Sequence, residues 1–206
     1  MENVGHLLCC RRLQQDNVVA GYNYEQILQS VQADDRYLRN LEWGKPRKGH
    51  PEGTVRAHIR ELERNLNMLR TRISIQNFWK LKLLIHTHDT FKADAKQGAP
   101  SRDPRSHASL ARAFVAEFCD DNNLLAIIQF HDEPYAFWKQ YSRGGVNSKR
   151  FDELLDTISD WDLYLLFLVI DGCTEGKSRE PLIWFFNEIQ GRRDSIVTAD
   201  WLVGLA

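Results

Sequence analysis

The chain has 206 residues, with 27 Lys and Arg against 28 Asp and Glu, and a formal net charge of −1 at pH 7. This length is enough for one domain with a sizeable core, and the balanced charge gives no bulk attraction to nucleic acid or to an anionic membrane. The longest apolar run, residues 163–170, is far shorter than the roughly 20 residues of a membrane-spanning helix. The four cysteines lack the spacing of a disulfide framework or a zinc ribbon, so we expect a cytoplasmic protein with reduced thiols.

Apolar residues at helical spacings predict a first helix within residues 24–43, before the Gly- and Pro-rich loop 44–54. The apolar stripe of this helix comprises Ile27, Leu28, Val31, Leu38 and Leu41. Thr54 is a suitable N-cap for the next helix. The same periodicity predicts helices at about residues 75–90, 106–119, 123–131 and 151–171. No segment alternates as a strand does, so the predicted fold class is all-α.

The chain is expected to form one main domain with two terminal additions. Residues 1–43 form an N-terminal helical extension that packs on the core, residues 44–190 form the main domain, and residues 191–206 form a C-terminal tail. The tail can dock on the core or support a homodimer. Large aromatic residues at helical spacings are typical of core packing rather than of base stacking, so nucleic-acid binding is not favoured.

Four histidines lie on the inward faces of four different predicted helices, because each residue rotates the helix by about 100°. These histidines are His58, His88, His107 and His131. A single inward histidine is usually a hydrogen-bonded core residue, and we interpret His86, about 200° from His88 on the same helix, in that way. Four inward histidines are hard to satisfy by neutral hydrogen bonds.

Two carboxylates at the ends of apolar helices, Asp89 and Asp171, accompany these histidines. An unpaired carboxylate in such a place is costly. Imidazole and carboxylate donors suit Fe, Mn, Co, Ni or Zn ions rather than a thiolate site. The sequence therefore predicts one or two divalent transition metal ions.

Three segments carry a resemblance to a known family: HPEGTVRAH (50–58), HDTFK (88–92) and VIDG (169–172). Their order of His, His-Asp and distant Asp resembles the signature of the HD-domain superfamily of metal-dependent phosphohydrolases, and the match spans about residues 50–172. The resemblance implies a single HD-type helical bundle with a metal centre in its core. The chain has Thr-Phe where many members have Ile-Gly, but neither residue is a ligand.

The resemblance also assigns roles to individual residues. It implies that one metal ion is bound by His58, His88, Asp89 and Asp171. It extends to a two-metal subgroup in which the added ligands are His107 and His131 and the bridge is Asp89. Lys92 matches the lysine of the HDxxK pattern, so Asp89 and Lys92 are the expected catalytic residues, with Lys92 on a substrate phosphate. Arg112 and Lys177 are further candidates for substrate binding, although a solvated surface charge is the commoner role for a residue such as Arg112.

The resemblance implies hydrolysis of a phosphate ester of a nucleotide or another small phosphorylated metabolite. Metal coordination brings the pKa of bound water from 15.7 to about 7 and so provides a hydroxide nucleophile at neutral pH. One alternative is a di-iron oxygenase similar to myo-inositol oxygenase, which uses a similar ligand set. Another is a non-catalytic metal-containing domain that binds a ligand or a partner.

A third alternative is a nucleotide-binding phosphate loop, because residues 167–181 imitate a strand followed by Lys177 and Ser178. However, Gly172 and Gly176 bracket three residues where the phosphate-loop pattern has four. The surrounding segments are also predicted as helices, so this alternative is disfavoured.

Overall fold

The computed structural model describes residues 21–198 and residue 201. Ten α-helices occur in this part of the chain: α1 (Tyr24–Ala33), α2 (Asp35–Asn40), α3 (Val55–Met68), α4 (Ile75–Thr87), α5 (His107–Val115), α6 (Asn122–Phe130), α7 (Glu133–Tyr141), α8 (Ser148–Thr157), α9 (Trp161–Gly172) and α10 (Glu180–Ile189). Short 3-10 helices lie at Arg70–Arg72 and Thr90–Lys92. The same residues contain no strand, only an isolated bridge between Arg47 and His50. The predicted all-α fold class is confirmed.

Side-chain caps begin several of the helices that carry the site. Thr54 accepts a hydrogen bond from the Ala57 amide at the start of α3, and Ser106 does the same for Ser109 at the start of α5. Asp121 caps α6. Each such cap contributes about 1 kcal/mol, and the cap at Thr54 was predicted from the sequence.

Two predicted helices are each divided into two. Within residues 24–43, Asp34 adopts an extended backbone and accepts a hydrogen bond from the Arg36 amide, which ends α1 and begins α2. This break turns Leu38 out of the predicted apolar stripe, and Leu38 is 47% exposed. Within residues 151–171, Asp160 caps α9 and separates it from α8. The single-helix predictions for these two segments were wrong because a capping side chain interrupts a continuous apolar pattern.

Helix α9 is the centre of the core. All its residues from 163 to 170 are buried, as expected for a helix that is apolar on every side. It packs against α3, α4 and α10, and the Tyr164 hydroxyl donates a hydrogen bond to the Phe130 carbonyl at the end of α6. This packing brings the ends of several helices to the C-terminal end of α9.

Helix α9 has 12 residues, and none of the described helices combines the length and apolarity that crossing a membrane requires.

The segment around the C-terminal end of α9 argues against the phosphate-loop alternative. Gly172 is the last residue of a helix and not a residue after a strand, so the strand–loop–helix unit of that motif is missing from this segment.

The predicted terminal additions are described only in part. Residues 21–43 of the N-terminal extension form α1 and α2, which pack on α4 and on the Thr90–Lys92 helix respectively. Residues 1–20 lie outside the described residues. The C-terminal tail is described to residue 198 and at Trp201.

Candidate metal centre

The structure brings all six predicted metal ligands together at the C-terminal end of α9. They are His58, His88, Asp89, His107, His131 and Asp171. His58 lies within α3, whereas His88 and His131 are the C-caps of α4 and α6 and His107 is the first residue of α5. Helix ends allow neighbouring residues to face one point, which explains why His88 and Asp89 both contribute.

The first donor set consists of His58, His88, Asp89 and Asp171. His58 Nε2 lies 3.0 Å from Asp171 Oδ1 and 3.9 Å from Asp89 Oδ2. His88 Nε2 lies 3.5 Å from the same Asp89 oxygen and 3.9 Å from the same Asp171 oxygen. The donor atoms of His58, His88 and Asp171 thus lie within 4.8 Å of one another, and Asp89 Oδ2 lies beside both imidazoles.

The second donor set consists of Asp89, His107 and His131. Asp89 Oδ1 lies 3.5 Å from His107 Nε2 and 3.6 Å from His131 Nε2, and the two imidazole nitrogens are 3.2 Å apart. Asp89 therefore presents one carboxylate oxygen to each donor set. This is the arrangement of a carboxylate that can bridge two cations.

Backbone carbonyls fix the orientation of two of these imidazoles. His88 Nδ1–H donates to the Leu84 carbonyl at 3.0 Å, and His131 Nδ1–H donates to the Ile128 carbonyl at 2.8 Å. Because a carbonyl only accepts, Nδ1 carries the proton when the ring is neutral, and Nε2 keeps the lone pair that a metal needs. The donor atom of each ring therefore points into the cluster.

Buried polar atoms without partners support a fit between this cluster and a metal ion. His88 Nε2 and Asp89 Oδ1 are buried and make no hydrogen bond. Leaving a polar atom in that condition costs about 1–3 kcal/mol, and a shared cation would satisfy both atoms. The described groups of buried His and Asp can hold a metal ion.

The electrostatics of the cluster favour cations. Burial opposes ionisation of Asp89, yet Lys92 and the imidazoles outweigh it and hold its pKa well below the usual range. Burial likewise opposes ionisation of Asp171, whose pKa is held well below the usual range chiefly by Lys177. Burial alone lowers the pKa of His131, but the neighbouring carboxylates raise it to about 9. The carboxylates stay ionised and attract positive charge.

Lys92 and Lys177 supply two ammonium groups at the edge of the cluster. Lys92 Nζ contacts Asp89 Oδ2, and Lys177 Nζ lies 2.7 Å from Asp171 Oδ1. Their side chains are 20% and 18% exposed, so both reach the surface. The structure thus places these two predicted substrate-binding residues beside the predicted metal ligands.

Arg112 is not brought to the cluster. Its side chain is exposed on α5 and lines a separate cavity of about 450 Å³ between α5, α6 and α8, none of whose lining residues is a predicted ligand. Five residues separate it from His107, which is a rotation of about 140° around the helix. Arg112 therefore has the commoner role of an exposed surface charge, and its candidacy for substrate binding at this site is corrected.

His86 lies on the other side of α4, as predicted. It is buried, its Nδ1 is 2.6 Å from the Tyr37 hydroxyl, and its Nε2 is 3.2 Å from Glu63 Oε1. These partners belong to α2 and α3 and not to the metal cluster. His86 is a hydrogen-bonded core residue.

Two carboxylates of the site were missed in the sequence. Glu52 Oε1 lies 3.0 Å from His58 Nδ1 and accepts a hydrogen bond from His50 Nδ1 at 2.9 Å, so it supports the back of a ligand imidazole. Asp132 Oδ2 lies 3.3 Å from His107 Nε2. Both follow a histidine closely, in HPE and HDE, and that proximity is the signal that could have found them.

Two loops cover the site. The 44–54 loop and Lys92 line a cavity of about 10 Å³ beside His58 and Asp89, which is space for about one water molecule. Pro51 of that loop packs against Gly176, in the loop that carries Lys177, and a Cβ atom on Gly176 would lie 3.0 Å from Pro51 Cδ. The cluster is therefore shielded from bulk water on the side of His58 and Asp89.

No protein-family model, no curated protein and no solved structure matches the chain. The geometry of the cluster is therefore the basis on which a function can be proposed.

Proposed function

We propose that the protein is a metal-dependent phosphohydrolase of the HD type, which cleaves a phosphate ester of a nucleotide or another small metabolite. The observation that carries the proposal is the position of the Asp89 carboxylate between two pairs of imidazoles. Its Oδ2 faces His58 and His88, and its Oδ1 faces His107 and His131. A bridging carboxylate between two histidine pairs suits two divalent cations of the Fe, Mn, Co, Ni or Zn type.

The formal charges of the chain support this assignment. Four carboxylates surround the cluster, those of Glu52, Asp89, Asp132 and Asp171. The ammonium groups of Lys92 and Lys177 offset two of them. Metal coordination requires the imidazoles to be neutral, and two negative charges then remain in a mostly buried site, where uncompensated charge is costly. One or two divalent cations would remove that cost.

Divalent cations bound at such donors lower the pKa of bound water to about 7 and polarise a phosphoryl oxygen. The chain's own residues then have three tasks. The donor imidazoles hold fixed positions through the Leu84 and Ile128 carbonyls. Lys92 and Lys177 bind and orient the phosphate oxygens and stabilise the charge that builds up on them. The 44–54 loop excludes bulk water from the reacting atoms.

The partly exposed lysines favour phosphate over an uncharged substrate. Each ammonium group lies on the carboxylate of a predicted ligand while its side chain remains 18–20% exposed, so an anion that enters from solvent can contact both cations. A lysine acts as a point charge on phosphate, and both ammonium groups lie beside the first donor set, on Asp89 Oδ2 and Asp171 Oδ1.

The proposal is tested first by metal content and then by phosphate release. Protein purified without chelator is analysed for Fe, Mn, Co, Ni and Zn. Release of inorganic phosphate is then measured on a panel of nucleotides and small phosphate monoesters, aerobically and anaerobically. We expect at least a hundredfold loss of activity in Asp89→Asn and no loss in Asp152→Asn, whose carboxylate is exposed on α8.

These measurements distinguish a phosphohydrolase, a di-iron oxygenase and a non-catalytic metal-containing domain. Phosphate release without oxygen and with a redox-inert metal supports the hydrolase. Oxygen consumption that requires iron selects the oxygenase. Stoichiometric metal without turnover on the whole panel rejects the hydrolase and leaves a binding domain. Circular dichroism of Asp89→Asn confirms that its loss of activity is not a loss of fold.

A further inference from the structure

Asp132 has a position that the helix it begins does not explain. It is the N-cap of α7, but its backbone is helical and its side chain makes no capping hydrogen bond. The N-cap Asp residues of α2, α6 and α9 accept hydrogen bonds from first-turn amides, which is the usual role of aspartate there. The Asp132 carboxylate instead lies against two ligand imidazoles, although its side chain is 54% exposed and free to turn to water.

The distances around Asp132 are those of a ligand set. Asp132 Oδ2 is 3.3 Å from His107 Nε2, and Oδ1 is 3.7 Å from His131 Nε2. The other separations in the second donor set are 3.2, 3.5 and 3.6 Å. Donors placed tetrahedrally at about 2.05 Å from a metal ion are about 3.3 Å apart. Four of the five separations lie within about 0.3 Å of that value, and the fifth, 3.7 Å, is made by the other oxygen of Asp132, Oδ1.

We propose that Asp132 is a metal ligand of the second donor set, which then contains two imidazoles, its own carboxylate and the shared Asp89. The inference rests on the metal centre of the proposed function. Each donor set then consists of two imidazoles, the shared Asp89 and one carboxylate of its own, which is Asp171 beside His58 and His88 and Asp132 beside His107 and His131.

This composition has a consequence for the second ion. Without Asp132, that ion has one carboxylate, and it shares this carboxylate with the first ion. With Asp132, it has a carboxylate of its own, which holds a divalent cation by charge as well as by coordination. Because Asp132 is 54% exposed and Asp171 is 25% exposed, the second ion is the one that solvent and substrate reach more easily.

The alternative is that Asp132 only pairs with protonated imidazoles and leaves any metal to the other residues. The two possibilities differ in metal affinity. A ligand carboxylate raises the affinity of one metal equivalent, whereas an ion-pairing partner of a proton does not. Asp132→Asn keeps the shape of the side chain and removes its charge, and no capping bond is lost.

The test is a titration of metal-free full-length protein with Mn²⁺, with free Mn²⁺ followed by electron paramagnetic resonance. We expect the wild type to bind two equivalents. Asp132→Asn retains the affinity of one equivalent and weakens the other at least tenfold. Asp152→Asn binds as the wild type does. Circular dichroism of the metal-free variants reports their folding, and it is expected to be unchanged.

Failure of this inference can be separated from failure of the proposed function. Two equivalents bound equally tightly by Asp132→Asn and by the wild type overturn the role of Asp132 and leave the metal centre intact. A single equivalent in the wild type overturns the second donor set, and the Asp132 inference with it, but leaves a one-metal hydrolase. No binding of Mn²⁺ or of the other four metals overturns both.

Discussion

The buried ion pair of Glu133 and Arg150 provides a quantitative test of how the fold supports the site. Glu133 begins α7 and is 1% exposed. Arg150 of α8 donates from Nε to one of its oxygens and from Nη2 to the other, both at 2.6 Å, and the Ser101 hydroxyl donates as well. One carboxylate thus joins α7, α8 and the loop before α5, directly beside Asp132.

Glu133→Gln removes the charge and keeps the shape of the side chain. Removal of one partner from a buried ion pair costs about 3–5 kcal/mol, because the other charge stays buried and uncompensated. The Arg150 side chain is 29% exposed and regains some hydration, so we expect a loss of about 2–3 kcal/mol in the free energy of unfolding. In Glu133→Leu combined with Arg150→Met both charges are gone, and most of the stability should return.

The assay is urea unfolding at pH 7, followed by far-ultraviolet circular dichroism, with equal m-values as the condition for comparison. Glu153→Gln is the matched control, because Glu153 also pairs with an arginine at 2.6 Å but both side chains are more than 40% exposed. Exposed pairs contribute about 0–1 kcal/mol. If Glu133→Gln costs no more than Glu153→Gln, burial does not determine the strength of the pair and the reasoning is refuted.

Two further variants test a loop and a pH dependence. Gly53 has φ +82°, and a Cβ atom there would lie 2.9 Å from Pro46 Cδ, so Gly53→Ala should lower the free energy of unfolding by more than the about 1 kcal/mol of a strained backbone alone and weaken Mn²⁺ binding. The control is Gly98→Ala, because Gly98 has φ +71° but open space around it and therefore reports the backbone strain by itself. Equal losses of stability for the two variants in urea unfolding would contradict the close approach to Pro46. The hydrogen bond from His86 lowers the pKa of Glu63 to about 2, so the contribution of the ionised Glu63 to stability is present above pH 4.5 and is lost as the pH falls towards 2. At pH 7 the Glu63→Gln variant should be less stable than the wild type by about 1–2 kcal/mol after allowance for solvent screening. If the difference between the two proteins in urea unfolding does not shrink below pH 4.5, the role of the Glu63 charge is refuted.

The helices of this fold could be predicted from the sequence because their apolar periodicity is strong. The positions where they break could not. Asp34 and Asp160 each interrupt a pattern that reads continuously, because a carboxylate that accepts from the next turn's amides outweighs the apolar spacing around it. The same cause turned Leu38 out to solvent. A potential capping side chain within a long periodic segment therefore indicates where one helix ends and the next begins.

The site was predictable where a residue's face on its helix determined its neighbours. His58 lies inside α3, and its inward face was enough to place it. Arg112 shows the limit of this reasoning, because closeness to His107 along the chain does not give closeness on the helix surface. Glu52 and Asp132 lie outside helix interiors, in a loop and at a junction, where no rotation per residue applies. Their positions depend on tertiary contacts that periodicity does not contain.

The location of the donor atoms at helix ends also explains how an apolar core holds so polar a site. Phe167, fully buried in α9, packs with its ring edgewise to His88 at 5.1 Å and to His131 at 6.4 Å between centroids. This wall excludes water from one side of both imidazoles, and charge interactions are stronger where water is excluded. The carboxylates contact the imidazole nitrogens where the helices end and polar atoms can gather. A rigid apolar helix thus packs against the donors, and carboxylates at its end and at the junctions around it give the cluster its negative charge.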